Sequence, residues 1–311
     1  MPQVPRKILI AVAVLIVIAM TSVGYLAATG MTLADARRET RISLGLPKFW
    51  RMNFQADITR QTPVDCPPAN AAVIVTGGQS NAANTLSDSS WKVTPLAMKS
   101  GAVMLFDGQC YELADPVLGA TGELESLWPT LAEKLFDAQT ARRDTPRPLL
   151  FIHGAVGGSQ IADWLDDRST YRSRLVANIA EAHARGYKID AVLWIQGETD
   201  AVLQVDPAQY QQDLQQLMHL IETESAMAAY GASWVFYRST YCQGRETNGP
   251  DLEAALAKVS RRESGKVYIG PSLTDLSDTY RRDGCHLNNA GRDRIAEESA
   301  VFILKNSILS R

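Results

Sequence analysis

The chain has 311 residues, of which 46% are hydrophobic and 21% charged, and its formal net charge is −3 at pH 7. This composition supports a substantial globular core and excludes an intrinsically disordered chain. The small negative charge, without long charged runs, argues against nucleic acid as the main partner.

An uncharged, strongly apolar run occupies residues 8–28. At about 1.5 Å per residue, a helix of this length spans the roughly 30 Å hydrocarbon core of a membrane. Arg6 and Lys7 precede the run and no basic residue follows until Arg37, which predicts a cytoplasmic N-terminus and a body on the other side. The alternative is a cleaved signal peptide ending near Ala28-Thr29-Gly30. Either reading predicts export, as a membrane-anchored protein facing the periplasm or the exterior, or as a secreted one.

This organisation predicts three parts of the chain. Residues 1–30 form the membrane anchor or signal segment, residues 31–65 a juxtamembrane stalk, and residues 66–311 the main folded domain. The boundary is set near Pro67-Pro68, because the regular pattern of apolar segments starts just after these prolines.

Four cysteines have no spacing typical of a CxxC redox motif or a Cys/His metal site. In an oxidising compartment they can form two disulfides. Cys66 and Cys110 flank the first predicted strands, and Cys242 and Cys285 fall in loops that follow later ones. We therefore expect Cys66–Cys110 and Cys242–Cys285 bridges, with free buried thiols as the open alternative.

Short apolar runs alternate with amphipathic helical patterns after residue 70. Such alternation predicts a mainly parallel sheet covered by helices on both faces, a three-layer α/β/α sandwich. The predicted strands are residues 72–76, 102–106, 149–153, 191–196, 234–238 and 267–269. The predicted helices are residues 127–143, 171–185, 207–229, 252–262 and 289–309. In such sheets, ligands bind outside the carboxyl ends of the strands.

The first strand runs into Gly77-Gly78-Gln79-Ser80-Asn81, where two glycines permit a sharp turn. Ser80 is therefore the candidate nucleophile, and it needs a base, a group that orients the base and oxyanion donors. His183 and His219 lie in predicted helices, and His153 ends a strand, so all three favour structural roles. His286 lies in a loop three residues after Asp283, a spacing at which the carboxylate can orient the imidazole.

The chain resembles the SGNH-hydrolase superfamily, and within it the sialate O-acetylesterase-like branch that includes carbohydrate esterase family six. The carrying blocks are Gly77-Gly78-Gln79-Ser80-Asn81, Ala155-Val156-Gly157-Gly158-Ser159 with Trp164, Gln196-Gly197-Glu198-Thr199-Asp200, and Asp283-Gly284-Cys285-His286-Leu287. The resemblance implies a flavodoxin-like sheet and an esterase domain over residues 66–311. It also implies that residues 119–135 form a loop near the site that runs into a helix.

The resemblance implies specific roles for these residues. Ser80 is expected to be the nucleophile, His286 the general base and Asp283 its orienting partner. The backbone N–H groups of Ser80 and Gly158 and the side-chain amide of Gln196 are expected to form the oxyanion hole, each donor worth roughly 3–4 kcal/mol. Glu198 either supports His286 as a second carboxylate or holds the loop by hydrogen bonds, and Trp164 is a candidate sugar contact.

The predicted function is that of a serine esterase removing O-acetyl groups from a carbohydrate, without metal or organic cofactor, since no metal, P-loop or dinucleotide motif is present. Two alternatives stay open: an acyl transferase of envelope polysaccharides using the same triad, and a non-catalytic carbohydrate-binding module. An α/β-hydrolase is disfavoured, because its oxyanion loop precedes the nucleophile, whereas here the glycines follow Ser80.

Overall fold

The computed structural model describes residues 54–87, 99–141, 146–227, 231–244 and 248–309. All of them belong to one compact unit, Met52–Arg311. Within it, Phe54 bridges to Thr121 and Val64 pairs with Cys110. The predicted membrane segment lies outside the described residues. None of the helices described is both long and apolar enough to cross a membrane.

The described strands form one eight-stranded sheet in the order β1-β4-β3-β5-β2-β6-β7-β8. At one edge, β4 is antiparallel to both of its neighbours, β1 and β3. The other six strands are mutually parallel and follow one another across the sheet as β3, β5, β2, β6, β7 and β8. The bounds are β1 Pro63–Val64, β2 Ala72–Gly78, β3 Val103–Phe106, β4 Gln109–Glu112, β5 Leu149–His153, β6 Ile189–Ile195, β7 Ser233–Arg238 and β8 Val267–Ser272.

Seven α-helices accompany the sheet in the described part of the chain. They are α1 Trp128–Ala141, α2 Ile161–Leu165, α3 Thr170–Ala184, α4 Glu198–Val202, α5 Pro207–Glu224, α6 Gly249–Arg262 and α7 Asn289–Lys305. Helices α1 and α7 pack together, and α2 packs against α3 and α5, with α6 beside α5. The long helices and all six predicted strands are confirmed, as is the α/β class.

Fully buried strands supply the core. Every residue of β2, β5 and β6 is buried, as expected for parallel strands covered on both faces. Without β1, β3 and β4, the strand order is that of a flavodoxin-like sheet, with the topological switch point at β2. The turns after β2 and β6 therefore meet at the position where such sheets bind ligands.

Both predicted disulfides, Cys66–Cys110 and Cys242–Cys285, are present. The first joins the segment after β1 to β4. The second joins the loop after β7 to the loop before α7, which carries His286.

Candidate active site

The turn after β2 presents Ser80 at the carboxyl edge of the sheet. Gly78 has φ +121°, and a Cβ on it would lie 2.0 Å from the Ile195 carbonyl oxygen, so only glycine fits here. The chain then enters a 3-10 turn, Ser80–Ala82. Ser80 is buried, with 7% of its surface exposed.

Asp283 and His286 form the hydrogen-bonded pair expected from their spacing. Asp283 Oδ2 lies 2.7 Å from His286 Nδ1, and Oδ1 accepts the backbone N–H groups of His286 at 2.8 Å and Cys285 at 3.0 Å. When Nδ1–H donates its hydrogen bond to the Asp283 carboxylate, Nε2 is the unprotonated, basic nitrogen.

The electrostatics of this pair favour an ionised Asp283. Partial burial acts to raise the pKa of Asp283, but the hydrogen bonds from the His286 ring and the two backbone N–H groups outweigh it. The pKa of this carboxyl is therefore held well below its usual range. An ionised carboxylate beside Nδ1 stabilises the imidazolium that forms when His286 accepts a proton.

Asn81 connects the nucleophile turn with the His286 loop. Its Nδ2 donates to the Cys285 carbonyl at 3.3 Å, and its Oδ1 accepts the Leu287 N–H at 3.1 Å. Residues on both sides of His286 are thus bonded to the residue that follows Ser80. The motif contained Asn81, but no pattern in the sequence indicated this contact.

Glu198 holds the loops beneath the site. Its Oε1 accepts the Asn81 amide at 2.6 Å and the Ser239 hydroxyl at 2.6 Å. Burial raises the pKa of Glu198, and the hydrogen bonds from Ser239 and Asn81 together with the charge of His286 oppose this only in part. Of the two roles predicted for Glu198, its hydrogen bonds fit the loop-holding one. Ser239 was missed, although its position directly after β7 was the signal for it.

The turn after β5 lies beside Ser80. A Cβ built on Gly157 would be 3.9 Å from the Ser80 Cβ, so the Gly157-Gly158 turn borders the nucleophile. The Gly157 N–H donates to the Thr121 hydroxyl at 2.7 Å, which agrees with the expectation that residues 119–135 approach the site. Among the described residues outside helices and strands, the Ser80 and Gly158 N–H groups donate to no backbone carbonyl.

The side-chain amide of Gln196, predicted as an oxyanion donor, makes hydrogen bonds within the protein. Its Nε2 donates to the Asp200 carboxylate, and its Oε1 accepts the Tyr210 hydroxyl at 3.2 Å. The side chain is only 3% exposed. The Gln196 amide is therefore part of a buried network with Asp200 and Tyr210 at the turn after β6.

Trp164 differs from the predicted sugar contact. The indole is completely buried, donates to Ser159 Oγ at 3.0 Å and packs edge-on against Trp194.

The three other histidines have the structural positions expected of them. His153 is in the core, with its Nδ1 atom 2.7 Å from Thr76 Oγ1. His183 and His219 lie in α3 and α5, as predicted. The described residues contain no group of side chains suited to hold a metal ion.

Solved structures with the same fold include two that the whole domain resembles. A protein from Arabidopsis thaliana has a TM-score of 0.58 and 18% sequence identity, over 77% of this chain and 99% of that chain. NanS has a TM-score of 0.54 and 14% identity, over 78% of this chain and 98% of that chain. No curated protein sequence matches the chain.

The family is established by the sequence itself. A model described as carbohydrate esterase, sialic acid-specific acetylesterase, matches residues 70–231, just over half of the chain's 311 residues. This range includes the Ser80 turn, the Gly157-Gly158 turn and the Gln196–Asp200 block, three of the four blocks that carried the resemblance. The chain therefore belongs to this family of carbohydrate esterases and is an enzyme of the esterase class.

Proposed function

We propose that the protein hydrolyses O-acetyl esters of a carbohydrate through an acyl-serine intermediate on Ser80. The observation that carries the proposal is the Asp283–His286 pair, which Asn81 ties to the turn that begins with Ser80. A nucleophile, a base and a group that orients the base are the minimum set for such chemistry.

In the first half-reaction, Ser80 Oγ attacks the ester carbonyl while His286 Nε2 takes its proton. The backbone N–H groups of Ser80 and Gly158 stabilise the oxyanion, and the ionised Asp283 stabilises the imidazolium. His286 then protonates the leaving sugar hydroxyl. In the second half-reaction, His286 activates a water that attacks the acyl-serine, which releases acetate and restores Ser80.

We also propose that the protein is exported. The two disulfides support an oxidising compartment, because bridges of this kind are rare in the cytosol. The apolar run at residues 8–28, preceded by Arg6 and Lys7, supplies the means, as an anchor or as a cleaved signal. Protease accessibility of the folded domain in spheroplasts with an intact inner membrane tests this directly, and protection of the domain there would contradict export.

The proposed chemistry is tested by hydrolysis of a chromogenic acetyl ester by the full chain. We expect Ser80→Ala and His286→Ala each to lower kcat by roughly 10⁴-fold or more, since the parts of a triad act as one unit. The matched controls are Ser173→Ala and His219→Ala, which alter exposed residues on α3 and α5 and should retain full activity. A folded parent without activity, or a fully active Ser80→Ala protein, would contradict the proposal.

A further inference from the structure

We propose that Asn81 is a positioning residue that sets His286 in register with Ser80. The inference rests on the proposed function and adds a role that acts through His286 rather than on the substrate. It is carried by three hydrogen bonds that join the nucleophile turn, the His286 loop and Glu198.

The Asn81 side chain has one possible orientation. It is completely buried, and its carboxamide makes three hydrogen bonds: Nδ2 donates to Glu198 Oε1 and to the Cys285 carbonyl, and Oδ1 accepts the Leu287 N–H. A flipped amide would turn its oxygen toward two acceptors and its NH₂ toward a donor. The network therefore fixes the side chain, and burial makes each unmade bond costly.

These contacts link two reacting side chains through very short stretches of backbone. Ser80 directly precedes Asn81, and His286 lies between Cys285 and Leu287. In the described part of the chain, no other hydrogen bond joins residues 80–82 to residues 283–287. The Asp283 bonds fix the imidazole within its own loop, whereas Asn81 fixes that loop relative to the nucleophile.

Other restraints hold the His286 loop without reference to Ser80. The Cys242–Cys285 disulfide and the Gln243 bonds to Gly284 and Asp283 attach it to the loop after β7. Removal of the Asn81 amide should therefore leave the loop folded but free to shift relative to Ser80. A misplacement of about 1 Å in reacting groups costs on the order of 10²-fold in rate.

The test compares Asn81→Ala with the parent on a chromogenic acetyl ester and with a fluorophosphonate that labels the active serine. We expect kcat and the labelling rate both to fall roughly 10²-fold with KM changed by less than about threefold, since both reactions need His286 beside Ser80 and binding does not. Asn178→Ala is the matched control. Asn178 is also a buried asparagine, bonded to the Asp107 N–H and the Arg174 carbonyl, away from residues 80–82 and 283–287.

A second variant separates register from folding. Asn81→Asp keeps the side-chain volume and the acceptor for Leu287, but it loses both donated bonds, so kcat should fall at least as far as in Asn81→Ala. Folding is checked by thermal unfolding, and the Asp variant decides if the Ala variant does not fold. A folded variant with kcat within about threefold of the parent, or an equal loss in Asn178→Ala, would overturn the inference. An inactive parent would instead contradict the proposed function.

Discussion

Glu198 has a buried carboxylate whose two oxygens have different surroundings. Oε1 accepts both Asn81 and Ser239, whereas Oε2 is buried and has no hydrogen-bond partner among the described residues. A second carboxylate acting directly on His286 would need a hydrogen bond to the ring, and the His286 Nδ1 contact is instead with Asp283. The acceptor at Oε1, more than the negative charge, is what the loops require.

This assignment predicts different outcomes for two substitutions of Glu198. Glu198→Gln keeps an acceptor for Asn81 and Ser239, so kcat should stay within about fivefold of the parent. Glu198→Ala leaves two buried donors unpaired, which costs roughly 1–3 kcal/mol each, and should lower both the free energy of unfolding and kcat. Steady-state kinetics with urea unfolding measures both quantities. A Gln variant as inactive as the Ala variant would show that the charge itself is needed.

Asp115 is a second unusual carboxyl. Burial raises its pKa to about 7, against the opposing hydrogen bonds from the Ser126 hydroxyl and N–H, with Glu125 adding to the rise and Arg292 opposing it. Between its ordinary value near 3.8 and about 7, the folded state binds a proton that the unfolded state has lost. The contribution of Asp115 to stability is therefore complete below this window and is lost as the pH rises through it.

The prediction concerns Asp115→Asn, which keeps the acceptor for Ser126 and cannot ionise. The free energy of unfolding of the variant minus that of the parent should rise from pH 4 to pH 7, by up to about 1.4 kcal/mol per pH unit. Urea unfolding at several pH values measures the difference, and taking the difference cancels groups such as His153 that titrate in both proteins. A difference that is independent of pH would show that Asp115 ionises normally.

At the scale of elements, the loop that carries His286 is built from restraints supplied by its neighbours. The Cys242–Cys285 bridge attaches it to the loop after β7, and Arg281 donates to the Cys285 carbonyl at 2.6 Å. The Cys66–Cys110 bridge lies at the β1 edge of the sheet and joins the segment after β1 to β4. The two bridges close segments of similar length, with sequence separations of 43 and 44 residues, and therefore make a matched pair.

The matched bridges predict a separation of stability from activity. Each closed loop of this length is worth roughly 4 kcal/mol in the chain-entropy account, so Cys66→Ser/Cys110→Ser and Cys242→Ser/Cys285→Ser should both lower the melting temperature. Only the second pair should also lower kcat, because Cys285 immediately precedes His286. Equal kcat in the two double variants, measured well below their melting temperatures, would mean that the bridge does not help to position the base.

The elements that could be predicted from sequence are those that a local pattern specifies. Fully buried strands such as β2 and β6 are continuous apolar runs, so the sequence pattern predicts them. Asp283 and His286 are three residues apart, so their pairing could also be predicted. Strand β4, with its exposed ends Gln109 and Glu112, has no such run and was missed.

The contacts of buried side chains at the site could not be predicted in the same way. The role of Gln196 was assigned by resemblance, whereas its hydrogen bond to Asp200, four residues along the chain, is visible only in the structure. Burial of Trp164 likewise follows from tertiary packing, which single-sequence patterns do not contain.

At the scale of the whole molecule, the two ends of the parallel sheet have different roles, one in the active site and one in stability. The carboxyl ends of β2 and β6 lead into the turns of the site. Below their amino ends, Arg147 donates to the carbonyls of Asn70 and Ala71 at 2.9 Å and to that of Leu309 at 2.5 Å. The same guanidinium pairs with the buried carboxylate of Asp190, which also accepts the Val73 N–H. This end therefore ties the starts of three strands to the chain near its C-terminus.

This difference between the two ends of the sheet predicts that Arg147→Met lowers the free energy of unfolding without changing kcat. Loss of the guanidinium removes the charged partner of the buried Asp190 carboxylate, and removing one partner of a buried pair costs roughly 3–5 kcal/mol. The free energy of unfolding should fall by about this amount, while kcat below the unfolding transition stays within about twofold. Asp190→Asn removes the charge that needs a partner, so adding it to Arg147→Met should restore part of the loss. A fall in kcat comparable to that of the Asn81 variants would mean that the two ends of the sheet are mechanically coupled, and the register of Ser80 and His286 would then depend on the whole sheet rather than on Asn81.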